Sequence, residues 1–180
     1  MSQQISLIEQ VRNRRDTVMV PMNQVKIVHW LSRSTTRVLA TEGLNGCTGL
    51  GIVSSQAGIL AHVAPLASTQ TTDFGTDDPG KANLVAQVQR VIGLYNGNRA
   101  AFANSQSFIV IAVFRGTAAL PEHLKTIKAV LERLNLTYVV KMYDVLAPGA
   151  AREFGWTLIV ITSKGDGSMP DVSVNGSPIR

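Results

Sequence analysis

The sequence contains a single cysteine, Cys47, among its 180 residues. One thiol cannot form an internal disulfide, and it cannot build a zinc site from several cysteines. Cys47 is therefore a free thiol, a metal ligand without other thiols, or an intermolecular partner. A reducing compartment such as the cytoplasm is the simplest location for such a chain.

Long apolar runs and a leader pattern are also lacking. The polar start Met1-Ser2-Gln3-Gln4 is not followed by a basic region, an apolar run and a small-residue cleavage site. No apolar run approaches the roughly 20 residues of a membrane-spanning helix, so neither a signal peptide nor a membrane contact is expected. The 45% hydrophobic content suffices for one core. We expect a single domain over residues 1–166 and a flexible C-terminal tail over 167–180.

Acidic residues are scarce near the N-terminus. The net charge is +5, and the chain through Arg37 holds six Lys and Arg residues against two acidic ones. Arg12, Arg14 and Arg15 have no aromatic residues among them, which is more typical of a solvated face than of a nucleic-acid surface. Nucleic acid is therefore not an expected partner.

Runs rich in β-branched and aromatic residues between turn residues predict eight strands. They are residues 17–20, 25–31, 37–40, 48–53, 58–63, 107–114, 137–145 and 156–162.

Two main helices interrupt the predicted strands. Apolar residues from Leu84 to Tyr95 recur at three- and four-residue steps behind Asp78-Pro79, and Gly97 marks the stop. A second apolar stripe, from Leu124 to Leu134, follows Pro121. A shorter helix is possible over residues 5–15. This order predicts an α+β fold, a layered mixed or antiparallel sheet packed against two main helices.

The segment from Thr41 to Pro65 predicts a β-hairpin that carries chemistry. With the turn centred on Ser54-Ser55, Cys47 faces His62 directly, with Cβ atoms about 4.5–5.5 Å apart. Side chains alternate along a strand, so the opposite face of the hairpin is apolar and core-like.

Three glycines, Gly49, Gly51 and Gly58, lie on the same face as Cys47 and His62. Glycine in a strand often marks a place where another chain or a ligand approaches closely. We therefore expect these glycines to form a groove for a substrate.

A cysteine nucleophile needs an adjacent imidazole to take its proton and later protonate the leaving group. Cys47 and His62 supply this pair, and a thiolate stabilised by His62 predicts a reactive thiol. The alternative is that Cys47 is a small buried hydrophobe and Thr41 an ordinary strand-end hydroxyl.

The strings Thr41-x-Gly43-Leu44-x-x-Cys47 and Gly58-x-Leu60-Ala61-His62-Val63-x-Pro65 resemble the active-site segment of the CheD family of bacterial chemoreceptor glutamine deamidases. Leu44-Asn45-Gly46-Cys47 is also similar to the Leu-Ser-Gly-Cys motif of deamidating toxins such as the cytotoxic necrotizing factors. The resemblance covers residues 41–65. It differs in a hairpin two residues shorter and in Arg115-Gly116-Thr117, where the family has Gly-Gly-Ala.

The resemblance implies a protein-glutamine amidohydrolase in which Cys47 attacks the carboxamide, His62 transfers protons and Thr41 orients the imidazole. From their position, the backbone N–H groups around Asn45, Gly46 and Cys47 are the expected oxyanion donors. No cofactor or metal is expected, and the partner is a protein that presents a glutamine. The location is then cytoplasmic, or extracellular without a cleavable signal if the chain is a toxin.

Two alternatives remain open: a non-catalytic protein-binding module of the same fold, and a thiol hydrolase of another amide. His29, in a predicted strand, and His123, on the polar side of the second helix, are interpreted as structural or solvated. Gly80-Lys81 lacks the Ser or Thr that completes a phosphate-binding loop.

Overall fold

The computed structural model describes residues 6–30, 34–65, 79–145 and 157–179. These residues form helices α1 (Leu7–Asn13), α2 (Pro79–Gly97) and α3 (Pro121–Arg133), a 3₁₀ helix (Arg99–Phe102), and strands β1 (Thr17–Met19), β2 (Gln24–His29), β3 (Val38–Leu44), β4 (Thr48–Val53), β5 (Ala57–Val63), β6 (Gln106–Phe114), β7 (Thr117–Ala118), β8 (Tyr138–Asp144), β9 (Thr157–Thr162), β10 (Asp171–Val174) and β11 (Ser177–Pro178). The predicted α+β class is confirmed.

The described strands form two sheets, whereas the sequence pattern predicts one. The first has the order β1-β3-β9-β10-β11, and only its β1–β3 pair is parallel. The second has the order β2-β5-β4-β6-β7, and β8 pairs with β6 in parallel. One of the crossings between the sheets is the short link from β3 to β4, which contains Cys47.

Buried side chains form three hydrophobic clusters. One contains residues of both sheets, including Leu39 and Ile159 of the first sheet and Leu60 and Phe108 of the second, and Cys47 belongs to it. Another joins the opposite face of the second sheet to α2 and α3. The third joins α1 to the first sheet. Cys47 and its neighbours are therefore enclosed between strands of two different sheets.

The helices follow local sequence signals. Ser6 and Glu9 form a capping box at the start of α1, in which the Ser6 side chain accepts from the Glu9 N–H. Pro121 opens α3, and Ile127 and Leu131 of its apolar stripe are buried. Ile5 and Asp78, which belong to the predicted helix starts, lie outside the described residues. None of the helices within the described ranges is long and apolar enough to cross a membrane.

The predicted flexible tail over residues 167–180 is wrong for the part that the structure describes. β10 pairs with β9, β11 pairs with β10, and Val174 is buried. Asn175 and Gly176 both have positive φ angles, of 51° and 77°. An Asn-Gly pair in this conformation makes the two-residue turn that hairpins favour. The turn residues that suggested a tail are the turn of a hairpin.

Candidate active site

The hairpin of β4 and β5 forms as predicted, but its register is shifted. His62 pairs with Gly49, and Val53 pairs with Gly58, so the turn residues are Ser55 and Gln56. The Ser54 hydroxyl accepts from the N–H groups of Gln56 and Ala57, at 3.1 and 3.0 Å, which fixes the turn one residue later.

Cys47 is therefore not opposite His62. It precedes β4 by one residue and lies two residues before Gly49, on the diagonal from His62. Diagonal neighbours in a regular ladder are about 7–8 Å apart, a span that a long side chain can bridge.

Thr41 and His62 are brought together across the two sheets. Thr41 of β3 lies where the pairing of β3 with β9 shifts register, and its side chain is fully buried. Its Oγ1 lies 2.8 Å from Nδ1 of His62, and it donates to the Val20 carbonyl at 2.8 Å. The single hydroxyl proton is used by Val20, so we assign the Nδ1 proton to His62 and the acceptor role to Thr41. The structure thus places Thr41 in direct contact with the imidazole of His62.

The other ring nitrogen of His62, Nε2, is buried and has no hydrogen-bond partner among the described residues. With the proton on Nδ1, Nε2 carries the free lone pair and is the basic atom of the ring. Burial lowers the pKa of His62 from 6.5 to about 4, because the charged imidazolium loses its hydration. The ring is therefore neutral at neutral pH, with Nε2 unprotonated.

Cys47 is also held in its neutral form. It is only 6% exposed, and burial raises the pKa of its thiol, although a hydrogen bond from the Asn45 backbone opposes that rise. With the pKa of the imidazole lowered and that of the thiol raised, a resting thiolate is disfavoured. The expected reactive thiolate is thus not supported in the resting site. If Cys47 attacked a substrate, the transfer of its proton would have to accompany that attack.

The backbone around Cys47 is held by a tyrosine that the sequence analysis did not identify. The Tyr143 hydroxyl accepts from the Gly46 N–H at 3.0 Å and donates to the Cys47 carbonyl at 2.6 Å. We call these two hydrogen bonds the Tyr143 bridge.

The Tyr143 bridge corrects part of the expected oxyanion site. The Gly46 N–H is already engaged by the tyrosine, and the Asn45 N–H donates to the Cys47 thiol. Of the three expected donors, only the N–H of Cys47 has no partner among the residues that the structure describes.

The predicted substrate groove over Gly49, Gly51 and Gly58 is wrong. A Cβ at these positions would lie 2.3 Å from Ile159, 2.1 Å from the Phe108 ring and 2.6 Å from Trp30, respectively. The glycines thus make room for the protein's own buried side chains and not for a ligand.

Replacing Gly51 by alanine is expected to destabilise the fold by about 1–3 kcal/mol, because the new methyl group overlaps the Phe108 ring. Phe108→Leu in the same chain should recover part of this loss. Urea unfolding of both single variants and the double variant measures their coupling.

Gly93→Ala is the matched control for Gly51→Ala. Apart from its chain neighbours and the backbone of its own helix, no described atom lies within 4 Å of the added Cβ, and alanine stabilises a helix relative to glycine by roughly 0.5–1 kcal/mol. Strictly additive effects of the Gly51 and Phe108 changes would show that Phe108 does not fill this space.

The two remaining histidines lie away from the Thr41–His62 pair. His29 is half-buried in β2 and pairs with Ala57. His123 is 5% exposed, and its Nδ1 lies 3.2 Å from the Thr48 hydroxyl, so its placement on the polar side of α3 is wrong. His123 connects α3 to the strand that follows Cys47. Within the described part of the chain, no three His, Cys, Asp or Glu side chains are grouped to hold a metal ion.

Comparison of the sequence with family models and curated proteins identifies no relative. No protein-family model matches the sequence, and a search of curated proteins finds no match. The function of the chain is therefore inferred from its own residues and their contacts.

Proposed function

We propose that the chain is a cysteine amidohydrolase that converts protein glutamine to glutamate, with Cys47 as nucleophile, His62 as base and Thr41 as the residue that orients the imidazole. The observation that carries the proposal is the buried Nε2 of His62, which has no partner in the described structure while Nδ1 is held at 2.8 Å from Thr41. Buried polar atoms are normally paired, and an unpaired one calls for an explanation, of which a catalytic role is one. The role of Nε2 as the base that accepts the proton of the Cys47 thiol is such an explanation.

The reaction begins when Nε2 takes the proton of the Cys47 thiol as the sulfur attacks the carboxamide carbon. The carbon–sulfur bond forms, the carbonyl becomes an oxyanion, and the Cys47 N–H is the donor placed nearest to it. The carbon–nitrogen bond then breaks, and the imidazolium gives its proton to the leaving nitrogen, which departs as ammonia. Water, deprotonated by the same imidazole, hydrolyses the thioester, and Cys47 regains its proton.

The environment of the two reactive groups favours a neutral substrate over a charged one. Cys47 and His62 are almost fully buried, and burial shifts the pKa values of both toward the neutral form. A site that disfavours charge accepts an uncharged carboxamide more readily than a carboxylate. The glutamate product is charged and is therefore bound less well than the substrate, which assists its release.

The sequence pattern also supports the proposal. The match to the CheD-like pattern includes Thr41, Cys47 and His62, the residues to which we assign roles. We also propose that the elements are layered in the order α1, the first sheet, the second sheet, and then α2 with α3. In this arrangement the Thr41–His62 hydrogen bond connects the two sheets.

One observation favours the second candidate, a binding module without catalysis. Cys47 is 6% exposed and belongs to a hydrophobic cluster, as a purely structural cysteine would. On this reading the Thr41–His62 pair only stabilises the contact between strands, and the chain releases no ammonia from any amide.

Ammonia release separates these functions. Wild-type protein is incubated with a panel of glutamine-containing proteins, with short glutamine peptides and with free small amides. We expect ammonia from at least one protein, with the modified glutamine identified by mass spectrometry as glutamate. Release from free amides alone would support the hydrolase of another amide. Tight binding of a protein without ammonia release would support the binding module.

A further inference from the structure

Tyr143 is far from the active-site segment in sequence, yet its hydroxyl contacts the backbone on both sides of the Gly46–Cys47 peptide. It is 96 residues from Cys47, its side chain is 7% exposed, and it belongs to the same hydrophobic cluster as Cys47. The segment Asn45–Cys47 lies outside the strands, so no sheet ladder fixes it. The Tyr143 bridge supplies hydrogen bonds where the sheet supplies none.

The bridge crosses one strand. β6 lies between β4 and β8, and Tyr143 of β8 pairs with Ala112 of β6. Ala112 is fully buried in the same cluster as Tyr143. Paired residues project from the same face of a sheet, so the tyrosine ring passes beside the side chain at position 112 to reach Cys47. A small residue there leaves space for that path.

From these contacts we infer that Tyr143 is a positioning residue of the proposed reaction, which holds the Cys47 backbone so that the thiol stays aligned with His62. The inference rests on the proposed function. The hydroxyl accepts from Gly46 and donates its proton to Cys47, so it ties together the two peptide units that flank the Gly46–Cys47 peptide. It also keeps the Gly46 N–H from competing for the oxyanion, which leaves the donor role to Cys47.

Tyr143→Phe in the full chain removes the hydroxyl and keeps the ring. Tyr138→Phe is the matched control, since Tyr138 is on the same strand and its hydroxyl bonds to Glu132 at an exposed position. Two quantities are measured: the rate of Cys47 alkylation by iodoacetamide at increasing low urea concentrations, and kcat and KM on the amide substrate. Cys47 is the only cysteine, so alkylation reports this thiol alone.

For Tyr143→Phe we expect alkylation about tenfold faster and kcat about tenfold lower at unchanged KM, which is the scale of one lost buried hydrogen-bond partner. The alkylation rate should vary little at low urea, because local release exposes little surface. Tyr138→Phe should match the wild type in both quantities.

Alkylation at the wild-type rate would overturn the inference. An alkylation rate that increases steeply with urea concentration would also overturn the inference, because it would show that the hydroxyl stabilises only the global fold. The alkylation result stands even if no amide substrate is found, so it separates failure of this inference from failure of the proposed function. If Tyr143 were not a positioning residue, ammonia release by the wild type would be unaffected.

Discussion

Replacing Cys47 by alanine, or His62 by glutamine, is expected to lower amide turnover by about 10³-fold or more, because the nucleophile and its base act as one unit in the proposed mechanism. The glutamine amide at position 62 can donate and accept hydrogen bonds but cannot act as a base near neutral pH. Combining the two changes should cost little more than either alone. Ammonia release under single-turnover conditions measures each variant, and circular dichroism checks that it is folded.

Thr41→Val should reduce turnover less than either of these changes. Loss of the hydroxyl leaves the Nδ1 proton of His62 unpaired in a buried site, a cost of about 1–3 kcal/mol, while nucleophile and base remain. His29→Gln is the control for a histidine on the neighbouring strand and should leave turnover unchanged. Full activity in Cys47→Ala would exclude the proposed mechanism.

Acidification is expected to destabilise the folded chain through His62. Between pH 6.5 and about 4, the unfolded chain carries a proton on this histidine that the folded chain does not bind. The unfolded state is therefore stabilised relative to the folded state as the pH falls. The contribution of His62 to the free energy of unfolding is fully present above pH 6.5 and is lost toward pH 4, by roughly 3 kcal/mol in total. Urea-unfolding free energies measured at intervals across this window test the expectation.

The comparison that isolates His62 is with His62→Gln, whose unfolding free energy should depend less on pH. Glu9, Asp16 and Asp166 have lowered pKa values, so protonation of these carboxylates also destabilises the fold in acid. This effect is the same in both proteins and cancels in the difference between their unfolding free energies. Cys47→Ala keeps His62 and should retain the wild-type slope. Parallel curves for the wild type and His62→Gln would mean that the imidazole is not desolvated.

Local patterns predicted the elements better than they predicted the register. The alternation of apolar residues and glycines in the hairpin identifies two paired strands and separates their faces, and both features are present. The turn was misplaced because the Ser54 side chain, rather than a glycine or asparagine, fixes it. Since the shift preserves the alternation of faces, Cys47 and His62 remain on one side but become diagonal.

The interpretation of the glycines failed for a different reason. A glycine in a strand signals close approach, and the sequence does not say what approaches. Ile159, Phe108 and Trp30 come from three separate parts of the chain, so their arrival is a property of the tertiary fold.

Tyr143 is a similar case. It appears in the sequence as one aromatic residue in a strand, and only the order of the strands brings its hydroxyl to Cys47. Thr41 was identified because its spacing to Cys47 matches a known pattern.

The division of the site between two sheets has a consequence for biosynthesis. Thr41 lies on β3, which is bordered by β1 and by β9, and β9 is translated more than a hundred residues after β3. Tyr143 is likewise translated long after Cys47. A nascent chain that has emerged only as far as the hairpin carries the thiol and the imidazole, but lacks the strands that hold them in place. The proposed site can therefore be completed only after β8 and β9 have left the ribosome.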